Sequence, residues 1–337
     1  MTQTTPSAAA GINNLGIGGT GSGGAAAGIA GFVVVDKPAG WTSHDVVARM
    51  RRLAGTRKVG HAGTLDPMAT GVLVVGIGQA TRLLSFVTAA DKAYDATIRL
   101  GVATITDDAE GEVTARVDAG HVGEEAIAAA VATLTGDILQ VPSSVSAIKV
   151  DGKRSYARVR AGEDVVLKAR PATVSRFAVA PSRRGVEEGA AFVDVDVSVT
   201  VSSGTYVRAL ARDLGDALGV GGHLTALRRT RVAGFTLGDS TPLEELATAV
   251  EAGRPLPVIP LAEAAAGALP SRVISAEDAV NLGFGRRVPR DPSDGDADAA
   301  RPLALLGPDG SLAALVVTDG SSLRPLAVFA VGRVDAS

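Results

Sequence analysis

The run Val59-Gly60-His61-Ala62-Gly63-Thr64-Leu65-Asp66-Pro67-Met68-Ala69-Thr70-Gly71-Val72-Leu73 sets one acid between a glycine-rich turn and a strand that reads as buried. Proline disfavours helical geometry for the residue before it, so Pro67 is expected to hold Asp66 extended at a loop tip. Gly60, Gly63 and Gly71 carry no side chain that would keep a second backbone at a distance. A carboxylate presented in this way can serve as nucleophile or general base. Taken alone, Leu65-Asp66-Pro67 reads first as an ordinary Asp-Pro turn starter, with the chemical role as the alternative.

Working outward, Phe32-Val33-Val34-Val35 predicts a short buried strand and Lys37-Pro38-Ala39-Gly40 a turn. Thr42 or Ser43 can cap a helix running to about Leu53, in which Val46, Val47, Met50 and Leu53 share one apolar face and Arg49, Arg51 and Arg52 stand off it. Val72 to Val75 predicts a second strand, and Tyr94, Ala96, Ile98 and Leu100 alternate with polar residues as in a half-buried third. Val193 to Val201 keeps period two throughout, turns at Ser202-Ser203-Gly204, and leads into a helix near Tyr206. Val207, Leu210, Ala211, Leu214 and Leu218 face its core side, and Gly219 supplies a C-terminal stop. Strands of this pattern interleaved with helices predict an α+β fold, a largely antiparallel central sheet braced by helices.

Length and composition divide the chain further. The 337 residues suit two domains. Residues 1 to 30 are mostly Gly, Ala, Ser and Thr and read as a disordered tail; their Gly16-Ile17-Gly18-Gly19-Thr20-Gly21 lacks the strand and helix that dinucleotide binding requires. The main domain is drawn over 31–250. Over 251–337, Leu303 to Leu306, the turn Pro308-Asp309-Gly310, Leu312 to Thr318, and Leu326 to Val331 predict a small β-rich module. The acid-rich Asp291 to Asp298 reads there as a loop that repels phosphate.

Four scattered histidines and no cysteine argue against a thiol nucleophile, a disulfide or a cysteine-ligated zinc site. No apolar run approaches the roughly 20 residues of a membrane span, and the N-terminal stretch lacks the pattern of a signal peptide, so a cytoplasmic location is expected. The formal net charge of −3 conceals a division: residues 31–237 hold 25 Lys and Arg against 22 Asp and Glu, residues 238–337 only 8 against 14. Basic residues cluster at Arg49, Arg51, Arg52, Arg57 and Lys58, and again at Lys149, Lys153, Arg154, Arg158 and Arg160. Such clusters are either solvated faces or stripes that attract a phosphate backbone.

The run around Asp66 resembles the catalytic loop of the TruB family of tRNA pseudouridine synthases, and the resemblance extends in the family's order from about residue 31 to 237. It is carried by Val35-Asp36-Lys37-Pro38-Ala39-Gly40-Trp41-Thr42-Ser43, Asp91-Lys92-Ala93-Tyr94, Thr106-Asp107-Asp108-Ala109-Glu110-Gly111, Ser146-Ala147-Ile148-Lys149, Gly204-Thr205-Tyr206-Val207-Arg208 and Gly222-His223-Leu224-Thr225-Ala226-Leu227. It implies a pseudouridine synthase fold with a C-terminal module of PUA-like or TruB C-terminal type. The implied activity is isomerisation of the uridine at position 55 in the TΨC arm of tRNA, on a flipped base, with no cofactor and no obligate protein partner.

By the same resemblance Asp66 is the nucleophile, Arg208 pairs with it, and Tyr94 stacks on the base and is a candidate for handling its proton. Tyr206 and Leu227 line the pocket, His61 meets the RNA loop, and Lys149 is a further substrate contact. Residue by residue, plainer readings stand beside these. Arg208 shares a helix face with Arg212 and could be an exposed charge. Tyr94, Tyr206 and Leu227 could be core residues, and His61 could be merely exposed. A non-catalytic tRNA-binding or folding module on the same scaffold is the alternative for the whole chain.

Overall fold

The computed structural model describes residues 29–143, 149–150, 153–154 and 167–329; the glycine-rich stretch 1–28, Arg158 and Arg160 lie outside the described residues. Seven strands make the body of a 12-stranded sheet: β1 (Gly31–Lys37), β2 (Thr70–Ile77), β3 (Lys92–Leu100), β4 (Gly136–Gln140), β5 (Arg170–Val179), β6 (Ala190–Val201) and β7 (Gly222–Val232). Their order across the sheet is β1-β2-β7-β3-β6-β5-β4. Every neighbouring pair in that path is antiparallel except β2 and β7, which run parallel with Arg228 opposite Thr70 and Arg229 opposite Gly71. The sheet is thus two antiparallel blocks fused at one short parallel seam, and the largely antiparallel α+β expectation holds.

Side-chain periodicity follows what covers each block. In β6, Val193, Val195, Val197, Val199 and Val201 are buried and their alternates are not, because helices cover one face of this block. β1 and β2 are instead apolar on both faces. Val33, Val35, Leu73 and Val75 pack against Val46, Val47 and Met50 of helix α1 (Ser43–Leu53), together with Leu243 and Leu246. Phe32, Val34, Val72 and Val74 pack on the other side against elements from the C-terminal third. A strand covered on both faces reads as a continuous apolar run, which is the pattern of Val72 to Val75.

Thr42 caps α1 through a capping box with Asp45, and Arg51 and Arg52 lie on its exposed side. Helix α2 (Val207–Ala217) buries Val207, Leu210, Ala211 and Leu214 against the second block and ends before Gly219, whose φ is +72°.

The C-terminal strands Ser271–Val273, Leu303–Leu306, Leu312–Asp319, Ser322–Val328 and Val288–Pro289 form a five-stranded sheet. Its last long strand begins at Ser322, four residues before the expected Leu326, because a tight turn at Gly320 sends the chain straight back along its neighbour. Ala304, Leu312, Leu315 and Phe329 share one apolar cluster with Phe32, Val72 and Phe235 of the main sheet. Phe32 and Phe235 meet edge to face at 5.6 Å within it. Arg82 clips the junction, donating to the Val328 carbonyl at 2.8 Å with its guanidinium 4.3 Å from the Phe329 ring centre. The acid-rich stretch is partly absorbed internally: the Asp294 side chain is buried and bridges Arg272 at 2.6 Å. No helix among the described residues is long and apolar enough to cross a membrane.

Candidate active site

Asp66 sits in the loop that enters β2, and the backbone on both sides of it is tied down. On one side the Lys37 ammonium, fully buried, donates to the carbonyls of Pro38 at 2.8 Å, Trp41 at 2.7 Å and Pro67 at 3.1 Å. The Gly40 amide also donates to the Pro67 carbonyl at 2.8 Å. Ser43 accepts from the Leu65 amide at 2.8 Å and donates to the Leu65 carbonyl at 3.1 Å. On the other side Arg229, 1% exposed, donates to the carbonyls of Val72 at 2.7 Å, Gly63 at 3.1 Å and Thr64 at 3.3 Å. A loop fixed at 63, 64, 65 and 67 presents the residue at 66 in one place, and its carboxylate remains 36% exposed.

Arg208, near the start of α2, reaches that carboxylate from the second block of the sheet. Its Nε lies 3.0 Å from Asp66 Oδ2 and its Nη2 donates to Oδ1 at 3.3 Å, a side-on two-point contact that orients both oxygens. Nη1 donates to the Thr106 carbonyl at 2.8 Å and lies 3.4 Å from Asp108 Oδ2. Asp108 is buried and held by the Thr106 hydroxyl at 2.5 Å, so one guanidinium bridges an accessible and an inaccessible carboxylate. Arg212, one turn on, points elsewhere, to Asp107 at 3.2 Å and the Val141 carbonyl at 2.7 Å. The turn leading into α2 is clasped by Gln140, which donates to the Tyr206 carbonyl at 3.1 Å and accepts from its amide at 2.9 Å.

These groups surround a cleft of about 310 Å³ lined by Gly63 to Asp66, Lys92, Tyr94, Tyr206, Arg208, Leu227 and Arg229. A larger groove of about 720 Å³ follows the alternate residues Asp95, Thr97, Asp196 and Ser198 but includes neither Asp66 nor Arg208. The Asp66–Arg208 pair is therefore in the smaller cleft, whose size suits one nucleoside-sized ligand. Tyr94 and Leu227 serve two purposes at once, belonging to the core cluster of the second block and to the cleft wall.

Burial sets the electrostatics. It pulls the Lys37 ammonium down to about 8, with Asp66 opposing the shift. Lys92 is likewise lowered to about 8 by burial and then by Arg229. The His61 imidazole is lowered by burial and by its neighbour His44, whose ring stands edge-on at 5.7 Å.

Five of the expected residues, Asp66, Arg208, Tyr94, Tyr206 and Leu227, meet in this cleft. His61 does not line it; it ends the short strand Val59–His61 beside β2. Lys149 lies in a two-residue strand paired with Lys153–Arg154, and its side chain is outside the described residues. Sequence reasoning passed over Lys37, Lys92, Asp108 and Arg229 as individual site residues. Two of them carried a signal: Lys92 lies two residues before Tyr94, and Arg229 two after Leu227, so period two places both on the cleft side.

The match to known families covers the same ground. The model of the TruB family pseudouridylate synthase N-terminal domain matches residues 51–207, and that of the tRNA pseudouridylate synthase B C-terminal domain matches 208–257. A tRNA pseudouridine synthase B of Paenarthrobacter aurescens is 58% identical over 90% of this chain and 96% of its own length. That of Thermobifida fusca is 56% identical over 89% and 98%. Among solved structures, a chain of a Cbf5-Nop10-Gar1 complex superposes with a TM-score of 0.66 at 27% identity, covering 89% of this chain and 85% of that one. The chain therefore belongs to the TruB family of tRNA pseudouridine synthases, isomerases that act on tRNA.

Proposed function

We propose that this enzyme isomerises the uridine at position 55 in the TΨC arm of tRNA, with Asp66 as nucleophile and without a cofactor. The observation that carries the reading is the two-point Arg208–Asp66 contact at the mouth of a cleft walled by Tyr94, Tyr206 and Leu227. The reaction breaks the bond from ribose C1′ to uracil N1, turns the base, and joins C1′ to C5 with loss of the C5 proton to N1 or solvent. Nothing is oxidised or hydrolysed, so the atoms balance without a co-reactant. What the reaction requires is a nucleophile, a confining pocket and a proton acceptor.

The target base must leave its stack at a cost of about a few kcal/mol, which stacking on Tyr94 and Tyr206 offsets. Arg208 orients Asp66 toward C1′ of the ribose or C6 of the base, and the clamped loop removes the need to order it on binding. Tyr94, on the cleft wall, is the candidate to take the C5 proton. His61, on the strand entering the loop, and Lys149 contact RNA outside the cleft. The same reading has the enzyme act on tRNA in the cytoplasm, with no obligate protein partner.

Asp66→Asn is the direct test. The amide keeps the shape and loses the nucleophile, so the variant should bind a TΨC stem-loop with wild-type affinity and form no pseudouridine by chemical mapping. Retained modification refutes the assigned role. Retained binding without modification in the wild type favours the non-catalytic module.

A further inference from the structure

The charged groups lining the cleft do not balance. Arg208 is shared between Asp66 and the buried Asp108, whereas Lys92 and Arg229, 7% and 1% exposed, are two further cations on the cleft wall, so the five charges together leave one positive over. Among the described residues neither has a carboxylate within 4.0 Å, the neighbouring Asp91 being engaged by Arg231 at 2.6 Å. A side chain added at Gly63 would meet Lys92 Cε at 3.3 Å and Arg229 Nη1 at 3.6 Å, so both cations flank the same glycine of the Asp66 loop. Lys92 spends two ammonium hydrogens on the carbonyls of Thr88 at 2.8 Å and Ala90 at 2.7 Å and has no third acceptor among the described residues. Burying two like charges side by side is costly, and neutral donors would hold those carbonyls as well. A ligand that becomes negative inside the cleft resolves the imbalance.

We propose that Lys92 stabilises the negative charge that the uracil ring carries while it is severed from, or activated against, its ribose, and that Arg229 is the positioning residue holding the Asp66 loop around that charge. This rests on the reading of the cleft as a uridine-isomerising site. If the C1′–N1 bond breaks heterolytically, its electron pair stays with the base as an anion spread over N1, O2 and O4. If Asp66 adds first at C6, the C5–C6 pair moves onto C5 and O4 as an enolate. On the first route that pair forms the C1′–C5 bond and the charge is discharged. On the second, the C5 pair forms the C1′–C5 bond as the C1′–N1 pair passes to N1, and N1 then expels the Asp66 carboxylate from C6. The ring holds one negative charge until that point, and on both routes C5 finally loses its proton and N1 gains one. A preformed cation beside the ring lowers the barrier because it is already oriented when the charge develops.

The test is single-turnover isomerisation of a TΨC stem-loop by wild type, Lys92→Met and Lys92→Gln, with either uridine or 5-fluorouridine at the target position. The fluorine withdraws electrons and stabilises the anionic ring independently of the protein. Both variants should bind the stem-loop with wild-type affinity and lose about 100-fold in rate on uridine. The loss should shrink at least several-fold on 5-fluorouridine, followed as its rearrangement after nuclease digestion. Lys92→Gln keeps a donor for the two carbonyls, so it serves if Lys92→Met fails to fold. An unchanged rate overturns the proposal. So does an equal loss on both substrates, which marks a structural role, or a loss confined to RNA affinity, which marks a phosphate contact. A wild type that forms no pseudouridine removes the proposed function itself, whereas an active wild type with unaffected variants removes only this inference.

Discussion

Gly71 is where the parallel seam admits no side chain. Its φ is +97°, and an added Cβ would overlap the Arg229 carbonyl oxygen and stand 3.0 Å from that residue's backbone nitrogen and carbonyl carbon. Gly71→Ala must strain φ and push β2 from β7 together, and denaturant melts should show a loss of more than about 3 kcal/mol. Lys37 makes a pH-dependent contribution of opposite character. Its folded pKa is about 8 against 10.5 for the free side chain, so between those values the unfolded chain holds a proton that the folded chain has released. Folding is therefore penalised below pH 8, and the penalty fades as pH rises toward 10.5. Melts of wild type and Lys37→Met across this window should show the difference shifting in favour of wild type by roughly 3 kcal/mol. At this scale Asp66 and Arg208 were legible through the resemblance of their motifs, since each taken alone had a plainer reading. Lys37 and Arg229 were not, since composition places lysine and arginine at the surface, and only the finished fold shows that they bind backbone carbonyls inside.

The Asp66 loop owes its shape to neighbours more than to its own sequence. Ser43 makes a reciprocal pair of bonds with Leu65 across 22 residues, so Ser43→Ala leaves a buried amide and carbonyl without partners. The expected cost is about 1–3 kcal/mol, with faster amide hydrogen exchange concentrated at residues 62–69 and a lower isomerisation rate at unchanged RNA affinity. Elements with their own punctuation were readable in advance: a cap at Thr42 or Ser43, which Thr42 supplies, and the alternation in β3 and β6. The neighbour relations were not. Period two says which face a strand buries and nothing about which strand lies beside it, so β7 inserting between β2 and β3 left no trace in the local pattern. The clasp of Gln140 on Tyr206 was invisible for the same reason, joining residues 66 apart.

Over the whole molecule, the C-terminal sheet is welded to the first block. Leu315 is fully buried in the cluster that also holds Phe32, Val72 and Phe235, so Leu315→Ala should cost about 2–5 kcal/mol. Calorimetry should show this as a downward shift of one cooperative transition; two resolved transitions would mean that the shared cluster does not couple the parts. The sequence disclosed a small β-rich unit there but not its attachment, because apolar residues facing a neighbouring sheet look the same as those facing their own. The unit's surplus acid is likewise partly consumed at home, by Arg272 and Arg290.

The two-residue seam has a further consequence. Asp66 is delivered by the block before it, and Arg208, Tyr94 and Leu227 by the block after it. Neither half walls the cleft by itself, so on the proposed assignment the centre and the correct joining of the halves arise in the same folding event. A slip of one residue at that seam would carry Arg229 away from Gly71 and part the two walls of the cleft.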